Sequence, residues 1–204
     1  MTTRLLAILA HPSQESFNAA LHAAYVEGAR EFVQVDELDL SELDFDPLLR
    51  AGFDESQVLE PDLERARRHI ERAQHVSWFF PTWWAATPAL LKGFVDRTFL
   101  PGWAFRYEKG KALPTPLLAG RTGRVVTTMD SPGWWYRFWH RRSVHASFIN
   151  ATLRFVGFAK VRHTTLHGVR AMSEQKRRAA IETMKRRGVE DAKRLVARAL
   201  KART

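Results

Sequence analysis

The chain has 204 residues, 45% of them apolar, which suits one domain with a real core, with or without a small appendage. It holds no cysteine, which excludes disulfides, thiolate zinc sites and cysteine nucleophiles and fits a cytoplasmic protein. The net charge of +10 is lopsided, with 3 Lys/Arg against 14 Asp/Glu in residues 1–64 and 29 against 8 in residues 65–204; that admits a nucleic-acid partner, a small anion such as a nucleotide phosphate, or a solvated arginine-rich side.

Residues 4–10 (RLLAILA) are a nearly all-apolar run, which predicts a strand buried on both faces. The run is too short for a signal peptide, and no segment reaches the roughly 18 apolar residues of a membrane-spanning helix. A polar loop, HPSQES, leads to helical composition over 17–32, where Leu21, Tyr25 and Val26 form a stripe. Residues 33–38 alternate as a strand does, and the acidic stretch 39–60, broken by Pro47 and Gly52, reads as a long loop. Pro61 opens a helix with acid early and base late, as the helix dipole prefers. Residues 76–80 make the next strand. Thr87 caps the following helix and Pro88 occupies its first position, with Leu90, Leu91, Phe94 and Val95 facing inward.

Residues 99–121 carry three prolines and several glycines and read as an excursion containing a hairpin. A strand at 124–129, a polar-aromatic loop, a helix near 143–155, a strand at 161–166 and a basic helix at about 173–202 complete the chain. Ser173 caps that last helix and Gly188 is a point for its interruption. The alternation predicts an α/β fold: a doubly wound, five-stranded parallel sheet of order 2-1-3-4-5 in a three-layer α/β/α arrangement, one domain over residues 1–204.

In such sheets ligands bind beyond the carboxyl ends of the strands, where the strand order reverses. Three loops meet there. The first has no glycine-rich phosphate pattern, but His11, Ser13, Gln14, Ser16 and Asn18 stand before a helix start whose free N–H groups suit a phosphate. Ser16 as an ordinary N-cap explains the same residues. The second loop sets Trp83 and Trp84 after a buried strand, where one ring can wall a flat ligand while the other packs on the body or on a partner subunit. The third, TTMDSPGWWYRFWHRR, holds Thr127, Thr128, Asp130, Tyr136 and His140 among three tryptophans. Interleaved aromatic and basic residues also suit single-stranded nucleic acid, but no helix-turn-helix, RNP or zinc-finger pattern accompanies them. The histidines form no H-x-x-x-H pair on one predicted helix and no G-x-S-x-G elbow is present, so no metal site and no serine hydrolase is expected.

Three segments carry a family resemblance. "ILAHPSQESFNAAL" resembles the opening strand and phosphate loop of the flavodoxin-like NAD(P)H:quinone oxidoreductases, the group of DT-diaphorase, the modulator-of-drug-activity proteins and the potassium-efflux ancillary oxidoreductases. "FFPTWWAATPALLKGFVDRTF" is similar to that family's flavin-binding strand, loop and helix, and "GRVVTTMDSP" stands where the family has its second flavin loop. The resemblance spans most of residues 3–170. It implies that Ser16, Phe17 and Asn18 hold a flavin phosphate with His11 nearby. It implies further that Pro81, Thr82, Trp83, Trp84 and Ala85 hold the edge of the ring, and that Thr127, Thr128, Met129 and Asp130 line its other side. Family members place a tyrosine and a histidine further on, to stabilise charge on reduced flavin; Tyr136 and His140 are the candidates. Where DT-diaphorase-like members follow the two threonines with glycines, this chain has Met129-Asp130-Ser131-Pro132, which leaves the acceptor open.

The implied activity is a two-electron transfer from NAD(P)H, through flavin, to a quinone or a nitro or azo compound. FMN is expected over FAD, because no separate adenine site is legible. The family's sites usually lie at a homodimer interface. The alternative is a protein of this fold kept for regulation or partner binding, with a transporter-ancillary role.

Overall fold

Mostly apolar side chains fill both faces of the central strands, which is why those strands lie in the middle of the sheet. The computed structural model describes residues 3–52 and 57–201. In chain order the elements are β1 (Arg4–Leu9), α1 (Phe17–Arg30), β2 (Gln34–Asp39), α2 (Pro61–Arg72), β3 (His75–Pro81) and α3 (Ala89–Thr98). A two-strand antiparallel ribbon follows, β4 (Phe105–Arg106) and β5 (Thr115–Pro116). Then come β6 (Thr122–Thr128), α4 (Gly133–Phe138), a π-helix (His145–Arg154), β7 (Lys160–Leu166) and α5 (Glu174–Lys201). β2, β1, β3, β6 and β7 lie side by side in that order, all parallel. With the ribbon set aside this is the expected 2-1-3-4-5 sheet, and the ribbon is the expected hairpin in the excursion.

The period of two divides the core into two sides. Leu5, Ala7 and Leu9 of β1 and Phe79 of β3 pack with Leu21, Tyr25 and Val26 of α1 and with Met184, Ala192 and Leu195 of α5. Leu6 and Ile8 of β1 and Val76, Trp78 and Phe80 of β3 pack on the other side with α2, α3 and the π-helix. Trp78 is fully buried, its ring against those of Phe94 at 6.5 Å, Phe99 at 6.3 Å and Phe148 at 5.4 Å between centroids. Each such side chain contributes about 1.5–3 kcal/mol by leaving water.

Four local expectations change. Helix α3 begins at Ala89, so Pro88 stands just before the first turn, and Thr87 makes no capping bond. A short helix, α4, lies inside the predicted polar-aromatic loop; Gly133 and a run of aromatics are weak helix formers, and tertiary packing of the buried Tyr136 overrides them. The predicted helix at 143–155 is a π-helix, a form associated with functional sites. Gly188 does not interrupt α5. A Cβ there would fall 2.1 Å from the Tyr25 carbonyl oxygen, and one on Gly28 of α1 would fall 2.2 Å from the Lys185 carbonyl oxygen. These glycines let α1 and α5 touch backbone to backbone. Residues 53–56 of the predicted acidic loop and residue 202 of the predicted last helix lie outside the described residues.

Candidate active site

The sheet order brings the ends of β1, β3 and β6 together, and specific bonds tie the loops that follow them. The Thr82 N–H donates to the Thr128 carbonyl oxygen at 2.7 Å, joining the second loop to the third. The Asn18 side-chain amide donates to Thr128 Oγ1 at 2.8 Å, joining the first loop to the third. The His11 ring meets Trp83 edge-on, 6.0 Å between centroids, joining the first to the second.

In the first loop the Ser13 N–H donates to His11 Nδ1 at 2.9 Å. Ser16 is the N-cap of α1, its Oγ accepting from the Ala19 N–H at 3.1 Å. Capping and anion binding are compatible here, because the N–H groups of Phe17 and Asn18 have no helical acceptor. Phe17 lies under the Arg177 guanidinium at 5.1 Å. Asn18 is buried, and its Oδ1 has no partner.

Pro81 closes β3 in a fully buried position. Trp83 and Ala86 then exchange backbone hydrogen bonds at 3.1 and 2.9 Å around Trp84 and Ala85, which have φ of +50° and +58°. Left-handed backbone is costly for side chains of this kind and is held only where the surroundings enforce it. The two tryptophans diverge: Trp83 is 45% exposed beside His11, while Trp84 stands wholly in solvent. Thr82 Oγ1 is buried without a partner.

In the third loop Thr127 and Thr128 are buried at the end of β6. Met129 sits in the core, its N–H donating to the Leu166 carbonyl at 2.9 Å. The Asp130 carboxylate accepts from the Arg170 N–H at 2.7 Å, which turns it toward the segment after β7. Tyr136 is buried; its hydroxyl accepts from the Val144 N–H at 3.2 Å, and burial pushes its pKa up. His140 Nε2 accepts from the Trp135 indole N–H at 3.1 Å, and its ring lies 6.5 Å from that of Tyr136.

The sequence reading missed a group around Tyr136. Its ring also lies 6.4 Å from His145 and 5.9 Å from His167. His145 in turn packs edge-on against His163 at 4.0 Å. Burial, the neighbouring His163 and the Arg142 charge push His145 down to about 4, and burial and Arg142 lower His163 as well. The only sequence signal was a spread of histidines over more than 20 residues; strand register and the π-helix bring them together. Among the described residues no cluster of three or more His, Cys, Asp or Glu side chains is placed to hold a metal ion, and no helix is long and apolar enough to cross a membrane.

Comparison with known proteins gives concordant matches. A family model described as a flavodoxin-like fold matches residues 3–188. A Haemophilus influenzae protein named as an uncharacterised NAD(P)H oxidoreductase is 28% identical over 87% of this chain and 90% of its own length. A mouse ribosyldihydronicotinamide dehydrogenase [quinone] is 25% identical over 90% of each chain. Among solved structures, an NAD(P)H:quinone oxidoreductase from Methanothermobacter marburgensis superposes with a TM-score of 0.78 at 22% identity, covering 93% of this chain and 98% of its own.

Proposed function

The chain belongs to the flavodoxin-like fold family, and from that premise we propose that it is a flavin-dependent NAD(P)H oxidoreductase acting on a quinone or similar flat acceptor. The names of its relatives in Haemophilus influenzae and mouse support this reading. The observation that carries it is the junction of three strand-end loops through Thr128, next to two buried polar atoms, Asn18 Oδ1 and Thr82 Oγ1, that have no protein partner. Buried polar groups left single are rare and call for an explanation, which a bound ligand supplies at this junction. The residues present therefore fit a flavin, and we read that flavin as FMN.

Bound flavin would supply the two-electron chemistry, taking a hydride from NAD(P)H and returning it to the acceptor. The protein's part is to bind, orient and screen. Ser16 and the N–H groups of Phe17 and Asn18 would hold the phosphate, with His11 beside them. The main chain from Pro81 to Ala85 would meet the polar edge of the ring while Trp83 walls it. Thr127 and Thr128 would take the other side, with Met129 and Asp130 fixing the course of that loop. Tyr136 and His140 would hold negative charge that develops on the ring. The solvent-exposed Trp84, Trp134, Phe138 and Trp139 support a homodimer whose interface covers them. We read the chain as one cytoplasmic domain.

A visible absorption spectrum of the purified protein, with and without added FMN or FAD, tests the reading. Flavin bands that bleach on adding NAD(P)H are the expected result. A protein that stays colourless and takes up neither flavin would overturn it in favour of partner binding.

A further inference from the structure

Beside Tyr136 lies a cavity of about 280 Å³ bordered by Arg137, Arg142, His145, His163 and His167. That volume is near the lower end of those that take a whole small ligand. Its lining sets two guanidiniums and three imidazoles beside Gly133, Tyr136 and Thr165, with no carboxylate among the lining residues. About half of the other arginines and lysines of the molecule face an acid, as Arg97 faces Glu60 and Lys92 faces Asp96. Here the positive charge faces a void, which focuses potential on whatever enters.

Two further observations point to an occupant. Both ring nitrogens of His145 are buried without a hydrogen-bond partner. Arg142 has φ of +53° and follows Arg141 at +48°. The surroundings hold this strained pair: the Arg142 N–H donates to the Tyr136 carbonyl at 3.0 Å, and the next residue, Ser143, donates its hydroxyl to the Ala85 carbonyl. Strain kept at such a place is a mark of a functional segment. The Ser143 bond also joins the cavity's rim to the left-handed turn at Trp84 and Ala85, so the cavity adjoins the ring-binding loop.

We propose that this cavity seats an acid group of the electron acceptor, so that the acceptors are flat rings carrying a carboxylate or sulfonate. The inference rests on the reductase reading and names its substrate class. Arg142 and Arg137 supply the charge, and His145 and His163 supply N–H donors to the acid oxygens. Tyr136 belongs to the third loop and also lines the cavity, so a seated acid group would lie against the side chain placed beside the ring.

The test uses the purified protein and a pair of non-reducible probes, naphthalene-2-sulfonate and the neutral 2-naphthol, titrated by calorimetry. The sulfonate is expected to bind at least about tenfold tighter, the order of one charge-assisted contact. Arg142→Ala and, separately, the more exposed His163→Gln should each erase most of that preference. Equal affinity for the two probes in the wild type would overturn the proposal. So would a preference that survives both substitutions, or displacement of the sulfonate by equimolar inorganic sulfate, which would mark a simple anion site. Flavin uptake is scored separately by absorption on the same samples. Failure of the reductase reading and failure of the acid-group reading therefore appear in different measurements.

Discussion

Replacing Asp191 by alanine should be among the most damaging single changes in the molecule, although no ligand-binding role attaches to it. Its carboxylate is fully buried and holds the Arg124 guanidinium, itself only 3% exposed, with two bonds. The Tyr25 hydroxyl donates to it at 3.1 Å, and Arg194 reaches it at 3.2 Å. Burial works to raise this carboxyl's pKa, yet the Arg124 bond and charge outweigh it and hold the group below the ordinary value. Without Asp191, the Thr164 hydroxyl at 3.2 Å is the one hydrogen-bond partner left to the Arg124 guanidinium among the described residues. An abandoned buried charge costs about 3–5 kcal/mol, against a total stability of about 5–15 kcal/mol for a domain. With a urea m-value of about 2 kcal/mol/M, the midpoint should fall by about 1.5–2.5 M at unchanged m. Circular dichroism across a urea series reads this directly. The double variant Arg124→Met, Asp191→Leu removes both charges and should recover most of the loss. A midpoint within about 0.5 M of wild type for Asp191→Ala, or a double variant no better than the single one, would refute the reasoning.

The same cluster carries a pH dependence. Burial pushes His75 down to about 4 from 6.5, against the pull of Asp191, so the folded state refuses a proton that the unfolded state accepts. The share of stability tied to His75 should be fully present above 6.5 and be lost, by about 3 kcal/mol, as the pH drops from 6.5 to 4. His75→Gln, which has no proton to gain, should make that part of the curve shallower by this share; superimposable curves for the two proteins would dismiss the idea. Gly188→Ala drives a methyl to 2.1 Å from the Tyr25 carbonyl, and overpacking of about 1–3 kcal/mol should lower Tm by about 5 °C in calorimetry. An unchanged melting temperature would mean that α1 and α5 separate freely. Tyr136→Phe and His140→Ala should each slow reduction of bound flavin in stopped flow while leaving flavin bound; wild-type rates in both would remove them from the reaction.

The strands were legible because burial leaves a local record. The runs in β1 and β3 are apolar on both faces, and only a central strand of a parallel sheet needs that. The site loops were legible at one remove, because strand order decides which loops meet. Bonds such as Asn18 to Thr128 span 110 residues, so no window of sequence contains them. The histidine and arginine cavity was hidden for the same reason: His145 and His163 meet only through the register of β7 and the unusual winding of the π-helix. Asp191 looked like one acid among many bases on a solvated helix. Its burial depends on α5 crossing α1 at Gly28 and Gly188, and a glycine that makes room for a neighbour looks, in sequence, like one that breaks a helix.

The sheet order has a consequence for how ligands arrive. β2, with Asp36, Glu37 and Asp39, forms one rim, and β7, with Lys160 and Arg162, forms the other. The acid-to-base drift along the chain thus puts net charge of opposite sign on the two edge strands. An anionic dinucleotide diffusing nearby feels a torque that turns the β7 rim toward it before any contact forms. Encounter rates for such a donor should therefore fall with added salt on the scale of the Debye length, while those for an uncharged acceptor should barely change.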